Sequence, residues 1–327
     1  MLLTRSPLRI SLGGGGTDLP SYYRKSGGFL IAGAIQQYIY VSLHKTFVDE
    51  FILKYSEIER CEDVDQIKHP IVREALKMLD VSPNSLEISS LADIPAGTGL
   101  GSSGTFTCAL LKSLYEFKGI QVSQRSLAEA ACEIEIDRLR EPSGKQDQYI
   151  SSFGGVTAFT FNEDDSVDIK KVEISDSQKF DLEDSLIMFF TGYSRRSTKI
   201  LAEQNEATKQ DDSSMMANLD NVKRIGYESL NALESHNFSF FGELMHEHWL
   251  NKQKRSKSML NESINDAYNL ARRNGAIGGK LVGAGGGGFL LFVTKDKKAT
   301  RNAFRTLGLR EVPVSFDYSG TQTVIGR

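Results

Sequence analysis

The chain has 327 residues, of which 40% are hydrophobic and 25% charged, and a formal net charge of −3; this is the balance of a globular protein with one large core or two medium domains. Without a long basic run, a nucleic-acid partner has no electrostatic support, and no apolar stretch approaches the roughly 18 residues that span a bilayer, so no membrane partner is expected. Cys61, Cys108 and Cys132 lack paired spacing and nearby histidines, and Met1 runs into motif residues with no room for a leader, so a reduced, cytoplasmic protein is expected.

In chain order, Pro7 and the alternating Leu8, Ile10 and Leu12 predict a buried strand that leads into four glycines, Thr17 and Asp18. Strands are predicted near 38–47, 51–56 and 86–93, helices near 68–80, 104–118 and 123–140, and a hairpin over 156–174 that turns at the polar run from Asn162 to Ser166. The apolar strand 186–190 opens the second half. A mostly helical stretch over 197–273, with a junction at 209–214, precedes strands near 277–284, 288–294 and 311–317 around a helix over 297–306. Strands and helices segregate in blocks, which predicts an α+β class. The boundary is placed to give domains 1–184 and 185–327.

The densest local signal is Pro95-Ala96-Gly97-Thr98-Gly99-Leu100-Gly101-Ser102-Ser103-Gly104, between the strand predicted at 86–93 and a helix whose Phe106, Leu110, Leu114 and Phe117 recur at helical spacing. A tight glycine turn before a helix aims unpaired N–H groups and the positive end of the helix dipole at one point, which suits a phosphate. Ordinary helix capping by Ser102 or Ser103 is the alternative. The run lacks the lysine of the Walker pattern and the downstream acid of the dinucleotide fingerprint.

Over 123–140, positions 127, 128, 131, 132, 134 and 139 form one apolar arc at about 100° per residue. Glu133 and Asp137 fall outside the arc and Glu135 inside it. A carboxylate on a buried face needs a cation or strong donors, which makes Glu135 a candidate magnesium ligand; an ion pair with an arginine such as Arg138 is the alternative.

The Pro95–Gly104 run resembles the second motif of the galactokinase, homoserine kinase, mevalonate kinase and phosphomevalonate kinase superfamily. Pro7 to Asp18 resembles the first motif and Lys280 to Phe289 the third. The resemblance implies a two-domain small-molecule kinase with a ferredoxin-like C-terminal part and with ATP and Mg²⁺ as cofactors. It makes Pro95, Gly97, Gly99, Leu100, Gly101, Ser102, Ser103 and Gly104 the ATP-binding loop, with Ser103 and Glu135 on the metal. Gly144-Lys145-Gln146-Asp147-Gln148-Tyr149 resembles the segment that carries the catalytic aspartate, and Arg9 occupies the position of a lysine or arginine beside it. A carboxylate there would accept or hold the acceptor's proton, and the cation would offset developing charge.

Gly-Gly-Gly-Thr-Asp at 14–18 departs from the Gly-Glu-His-Thr-Asp of galactokinases. With Phe153-Gly154-Gly155 and the third motif it is most similar to the heptose 7-phosphate kinase branch. That branch phosphorylates an anomeric hydroxyl to give a 1,7-bisphosphate on the way to nucleotide-activated heptose for surface polysaccharides. An L-fucokinase-like sugar 1-kinase and a noncatalytic sugar sensor are the other readings. The acceptor is expected against Gly15, Gly16, Thr17, Asp18, Gly155, Gly285, Gly286 and Gly287, with a helix N-cap as the alternative for Asp18. Its distal phosphate is expected at Arg195, which matches the heptose pattern whereas Arg196 does not, and at Lys252, which continues the stripe of Phe241, Leu244, Met245, His248 and Trp249. Snorkelling to the surface is the alternative for Lys252, and a core position is expected for His248. The partners are a sugar phosphate and ATP; a homodimer is compatible with these residues.

Overall fold

The computed structural model describes residues 1–81, 85–192, 198–210, 212–255, 262–283 and 287–326. The first half runs β1 (Leu2–Gly13), α1 (Pro20–Ser26), β2 (Gly28–Lys45), β3 (Phe51–Lys54), β4 (Ile58–Cys61), α2 (Pro70–Met78), β5 (Leu86–Ala92), α3 (Ser102–Phe117), α4 (Gln124–Cys132), α5 (Gln146–Phe153), β6 (Val156–Phe161), β7 (Val167–Lys171) and α6 (Asp176–Ser185). The second half runs β8 (Leu186–Phe190), α7 (Thr198–Lys209), α8 (Ser213–Glu234), α9 (Phe238–Gln253), α10 (Glu262–Arg273), β9 (Ala276–Leu281), β10 (Phe289–Thr294), α11 (Lys297–Thr306), β11 (Arg310–Val312) and β12 (Gln322–Ile325).

β1 is buried without a break from Ser6 to Gly13, because α3, α5 and α8 all pack on it. Its neighbour β2 is 18 residues long. Gly28–Gly33 of β2 pair with β6 and Ile39–Lys45 with β5, while β1 runs along its other edge. This gives the sheet order β12-β1-β2-β5-β3-β4, with β6 and β7 joined through β2. The register shifts at Pro7/Leu8, where a residue without an N–H cannot continue the ladder. The freed Pro7 carbonyl accepts from the Ser151 hydroxyl at 3.0 Å, which ties β1 to α5 directly below Arg9.

The second sheet has the antiparallel order β11-β8-β10-β9. Numbered by their own sequence these strands lie 4-1-3-2 with a βαββαβ connection, the ferredoxin-like arrangement. Chain passage between the sheets occurs where α6 ends and β8 begins. The sheets nevertheless share one apolar cluster, in which Leu8, Ile10 and Ile31 meet Met188, Phe241 and Leu291, and β12 returns to pair with β1. No helix among the described residues is long and apolar enough to cross a membrane.

Several sequence expectations change in detail. β2 starts ten residues earlier than predicted, β4, α5, α6 and β12 were not foreseen, and the single helix over 123–140 is α4 followed by a π-helical stretch, Glu133–Arg138. The segment expected to be a strand over 311–317 is shorter, Arg310–Val312.

Candidate active site

The two sheets and their helices enclose a cavity of about 780 Å³. One wall is the Pro95–Gly104 turn. Gly101 is the N-cap of α3 in the left-handed region, at φ 79°, and no side chain caps the helix, so the capping role considered for Ser102 and Ser103 is not what they do. The first N–H groups of α3 therefore remain available to an anion. A Cβ on Gly101 would lie 3.0 Å from Asp147 Cγ and 3.1 Å from Arg9 Cγ, and one on Gly104 would lie 2.7 Å from Asp147 Cβ. Absent side chains at these two positions let α3 approach the Arg9–Asp147 pair closely.

Arg9 Nε donates to Asp147 Oδ1 at 2.8 Å and its Nη1 to the Gly99 carbonyl at 2.6 Å. The guanidinium is buried, while the Asp147 side chain keeps 27% of its surface exposed and so faces the cavity. This excludes the surface role considered for Arg9. Asp147 sits in the first turn of α5, where the helix dipole favours a carboxylate.

Ser103 Oγ donates to Glu135 Oε2 at 2.5 Å, and Gln148 Nε2 donates to Glu135 Oε1 at 3.0 Å. Burial pushes the Glu135 carboxyl up to about 7, against the pull of the hydrogen bonds from Ser103, Gln148 and Thr107. Arg138 pairs with Glu133 and Glu74 instead, so the buried ion pair considered for Glu135 does not form. Gln148 Oε1 is buried with no hydrogen-bond partner. An unpartnered acceptor beside a buried carboxylate and a hydroxyl suits a small hard cation, and magnesium is commonly held by one or two carboxylates plus substrate phosphates. No cluster of three or more His, Cys, Asp or Glu side chains able to hold a metal occurs among the described residues.

Asp18 is buried and does not cap α1, whose N-cap is Leu19. Its Oδ2 accepts from Gln146 N at 3.1 Å and its Oδ1 from Gly16 N at 3.3 Å. It thereby joins the 14–18 turn to the start of the helix that carries Asp147. Desolvation raises its pKa, opposed chiefly by the backbone hydrogen bond from Gln146. Gly15, Gly16 and Asp18 line the cavity. Thr17 does not: its fully buried hydroxyl lies 2.9 and 2.8 Å from the carbonyls of Gly14 and Phe29 and accepts from Phe29 N, so the substrate contact expected of it is replaced by a fastening of the turn to β2. Gly155 is also withdrawn from the acceptor. Its N–H donates to the Asp317 carbonyl and its own carbonyl accepts from Ala34 N, which makes it a join between β2 and the 315–320 segment.

Within the loop, Pro95, Gly97, Gly99, Gly101, Ser102 and Ser103 line the cavity. Leu100 instead puts its side chain in the core, and only its carbonyl meets the site, accepting from Arg9 N. Gly104 contributes its closeness to Asp147. In the third motif, Gly287 lines the cavity; Gly285 and Gly286 lie outside the described residues. A Cβ on Gly283 would meet Gly99 and one on Gly288 would collide with the Thr98 carbonyl. The third motif thus packs backbone to backbone against the phosphate turn. Arg195 too lies outside the described residues.

Lys252 is buried, which excludes snorkelling, and its ammonium donates to the carbonyls of Leu281 and Gly283. Two further cations were not foreseen. Arg255, just beyond α9, and Lys280, on β9, also line the cavity, and Lys280 is 2% exposed. His248, expected in the core, is buried but borders the cavity. Tyr55, Ile71, Leu91, Ile94 and Phe106 also line the cavity and offer apolar surface to a flat heterocycle.

Profiles of the GHMP kinases match this chain twice, their N-terminal domain over residues 70–155 and their C-terminal domain over residues 229–310. The D-glycero-alpha-D-manno-heptose 7-phosphate kinase of Campylobacter jejuni is 29% identical over 306 residues, 90% of each chain. The L-fucokinase/L-fucose-1-P guanylyltransferase of Bacteroides fragilis is 27% identical over 90% of this chain and 35% of that protein. A solved D-glycero-D-manno-heptose 1-phosphate kinase from Bacteriodes thetaiotaomicron superposes with a TM-score of 0.80 at 23% identity, covering 99% of this chain and 98% of that one.

Proposed function

We propose, proceeding from the fact that the chain belongs to the GHMP kinases, which take their phosphoryl group from ATP, that it phosphorylates the anomeric hydroxyl of D-glycero-D-manno-heptose 7-phosphate to the 1,7-bisphosphate. The single observation that carries the chemistry is the Arg9–Asp147 pair, 2.8 Å apart, set against the phosphate turn on one side and facing the Asp18 turn on the other. The heptose comes from the relative that matches over 90% of both chains.

The triphosphate lies over Gly97–Gly104 with its base toward Tyr55 and Phe106, and the sugar lies over Gly15, Gly16 and Asp18. Asp18, already anchored by two backbone donors, can accept from sugar hydroxyls with its remaining lone pairs. Asp147 takes or holds the proton of the anomeric hydroxyl as its oxygen bonds to the γ-phosphorus and the bridging oxygen leaves with ADP. Arg9 offsets charge on the transferring group and, paired with Asp147, keeps that carboxylate oriented. Ser103 and Glu135 would hold magnesium, which when bound supplies charge screening on the phosphates. Residues 1–184 carry this chemistry, and residues 185–327 close the acceptor end.

An L-fucokinase-like activity is the second reading, favoured by the Bacteroides fragilis relative. ADP release measured with heptose 7-phosphate, heptose, L-fucose and galactose separates the two. A wild-type preference for L-fucose over heptose 7-phosphate overturns the first reading, and no turnover of any sugar overturns both.

A further inference from the structure

Three cations from the second half of the chain line the cavity: Lys252, Arg255 and Lys280. Among the described residues none has a carboxylate within ion-pair distance. Lys280 Nζ meets only neutral groups, Ser11 Oγ at 3.4 Å and His248 Nδ1 at 3.2 Å. Desolvation and the neighbouring Lys280 charge lower the His248 pKa well below its usual value, so the ring is neutral and accepts. Arg255 Nε is engaged by Asn218 at 2.7 Å, but its two terminal nitrogens reach only the Gly15 carbonyl, each at 3.5 Å. Lys252 is occupied by two carbonyls and holds the 281–283 turn behind the other two.

Isolated buried cations are costly and are found paired or facing a ligand. Here the strain shows as lowered pKa values. Burial and the neighbouring cations push Lys280 well below its usual value and bring Lys252 to about 7, and desolvation brings the partly buried Arg255 to about 10 despite Asp18. The nearest carboxylates are already committed, Asp147 to Arg9 and Asp18 to two backbone N–H groups. Position adds a second constraint. Ser11, which touches Lys280, is two residues beyond Arg9 on β1, so the two side chains share one face of the strand roughly 7 Å apart. That interval suits the length of a sugar with its exocyclic chain.

We propose that Lys280 and Arg255, backed by Lys252, form a second anion subsite that holds the non-reacting phosphate of the acceptor, a phosphomonoester at the far end of the sugar from the hydroxyl beside Asp147. The subsite rests on the reading of the acceptor as a sugar phosphate and gives it a structural cause. A dianion there neutralises charges that no carboxylate pairs with directly, and the same sugar without its phosphate leaves the buried Lys280 unpaired.

Two measurements test this on the full chain. The first is kcat/KM for heptose 7-phosphate and for heptose, in wild type, Lys280→Met and Arg255→Gln. Each variant should lower the ratio of the two efficiencies at least tenfold. An unchanged ratio, with both efficiencies falling together, overturns the subsite. A wild type that does not prefer the phosphorylated sugar overturns the sugar-phosphate reading instead. The second is thermal stabilisation by inorganic phosphate with ADP and magnesium saturating, so that the nucleotide wall is filled. Wild type should be stabilised and Lys280→Met should not; equal stabilisation of both, or of neither, overturns the subsite whatever the acceptor. Without ligand, Lys280→Met should melt at or above the wild-type temperature, because it removes a buried charge, and this shows that the variant folds.

Discussion

The wall built from Pro95–Gly104 offers an anion backbone N–H groups and hydroxyls, whereas the wall built from Lys252, Arg255 and Lys280 offers it formal positive charge. The first costs little when empty, because amide dipoles at a helix start can be solvated and carry no net charge. Its demand is geometric and falls on the glycines, which must adopt φ 79° at Gly101 and close approach at Gly104. The second accepts ordinary backbone geometry but carries a desolvation penalty until a ligand arrives. One wall is therefore sensitive to added atoms and the other to lost charge. The Arg9–Asp147 pair is fastened to the first wall through the Gly99 and Leu100 carbonyls.

Asp147→Asn breaks the centre and spares both walls. We expect kcat to fall about 10²–10⁴-fold, with ATP affinity by calorimetry unchanged. Turnover within threefold of wild type removes Asp147 from the chemistry.

Gly101→Ala tests the geometric wall. A β-carbon in the left-handed region costs about 1–2 kcal/mol, and the clash with Asp147 and Arg9 adds to it. Lower thermal stability and a KM for ATP at least tenfold higher are expected, and an unchanged KM shows that the turn does not cradle the nucleotide.

Glu135→Gln sharpens the comparison, since Glu135 is the one buried acid on the dipolar wall. The magnesium concentration for half-maximal rate should rise about tenfold, within the 10–100-fold range seen when groups around a metal site are changed, while exposed Glu133→Gln leaves it unaltered; equal responses remove Glu135 from the metal. Stability gives an independent sign. With the folded pKa at about 7 and the usual value at 4.5, the folded state binds more protons between these values. Its stabilisation is full below pH 4.5 and lost as pH rises through 7. In chelator, Glu135→Gln should therefore raise the melting temperature at pH 8 more than at pH 5, and the reverse order contradicts the burial argument.

Ser102→Ala should have the smallest effect. The Ser102 hydroxyl is buried without a partner, so the melting temperature should hold or rise. KM for ATP should stay within about threefold, the hydroxyl being worth at most about 0.5–1.5 kcal/mol even if it reaches a phosphate. A tenfold loss would show that the turn relies on this side chain as much as on its backbone.

What was legible in the sequence follows the same division. The dipolar wall is contiguous, so its glycines and serines announce themselves over ten residues. The charged wall is assembled from the end of α9, the residues just beyond it and β9, and its members are single residues in unrelated contexts. Lys252 showed itself by continuing an apolar stripe. Lys280 has an equivalent signal, a lysine between Gly279 and Leu281 in a strand otherwise without charge, but it is masked by its place as the first residue of a glycine motif. Glu135 falls on the buried face that α-helical angles predict although the chain is π-helical from Glu133, because only two residues separate it from regular helix and the angular error has little length over which to grow. Gly28–Ala34 of β2 was missed because burial on both sides removes alternation. The missed α6 carried a capping box, Ser175 with Gln178, which outweighs its weak apolar pattern.

The pairing of β12 with β1 bears on how the molecule is made. Leu3 lies opposite Ile325, so during synthesis the outer edge of the strand that carries Arg9 stays open until residues 322–325 have left the ribosome. An open edge beside a buried strand invites pairing with another nascent chain. Closing so long a loop is among the slower steps a fold can require. Ribosome-bound chains stopped before residue 322 should remain protease-sensitive at residues 2–5, however well the rest has collapsed.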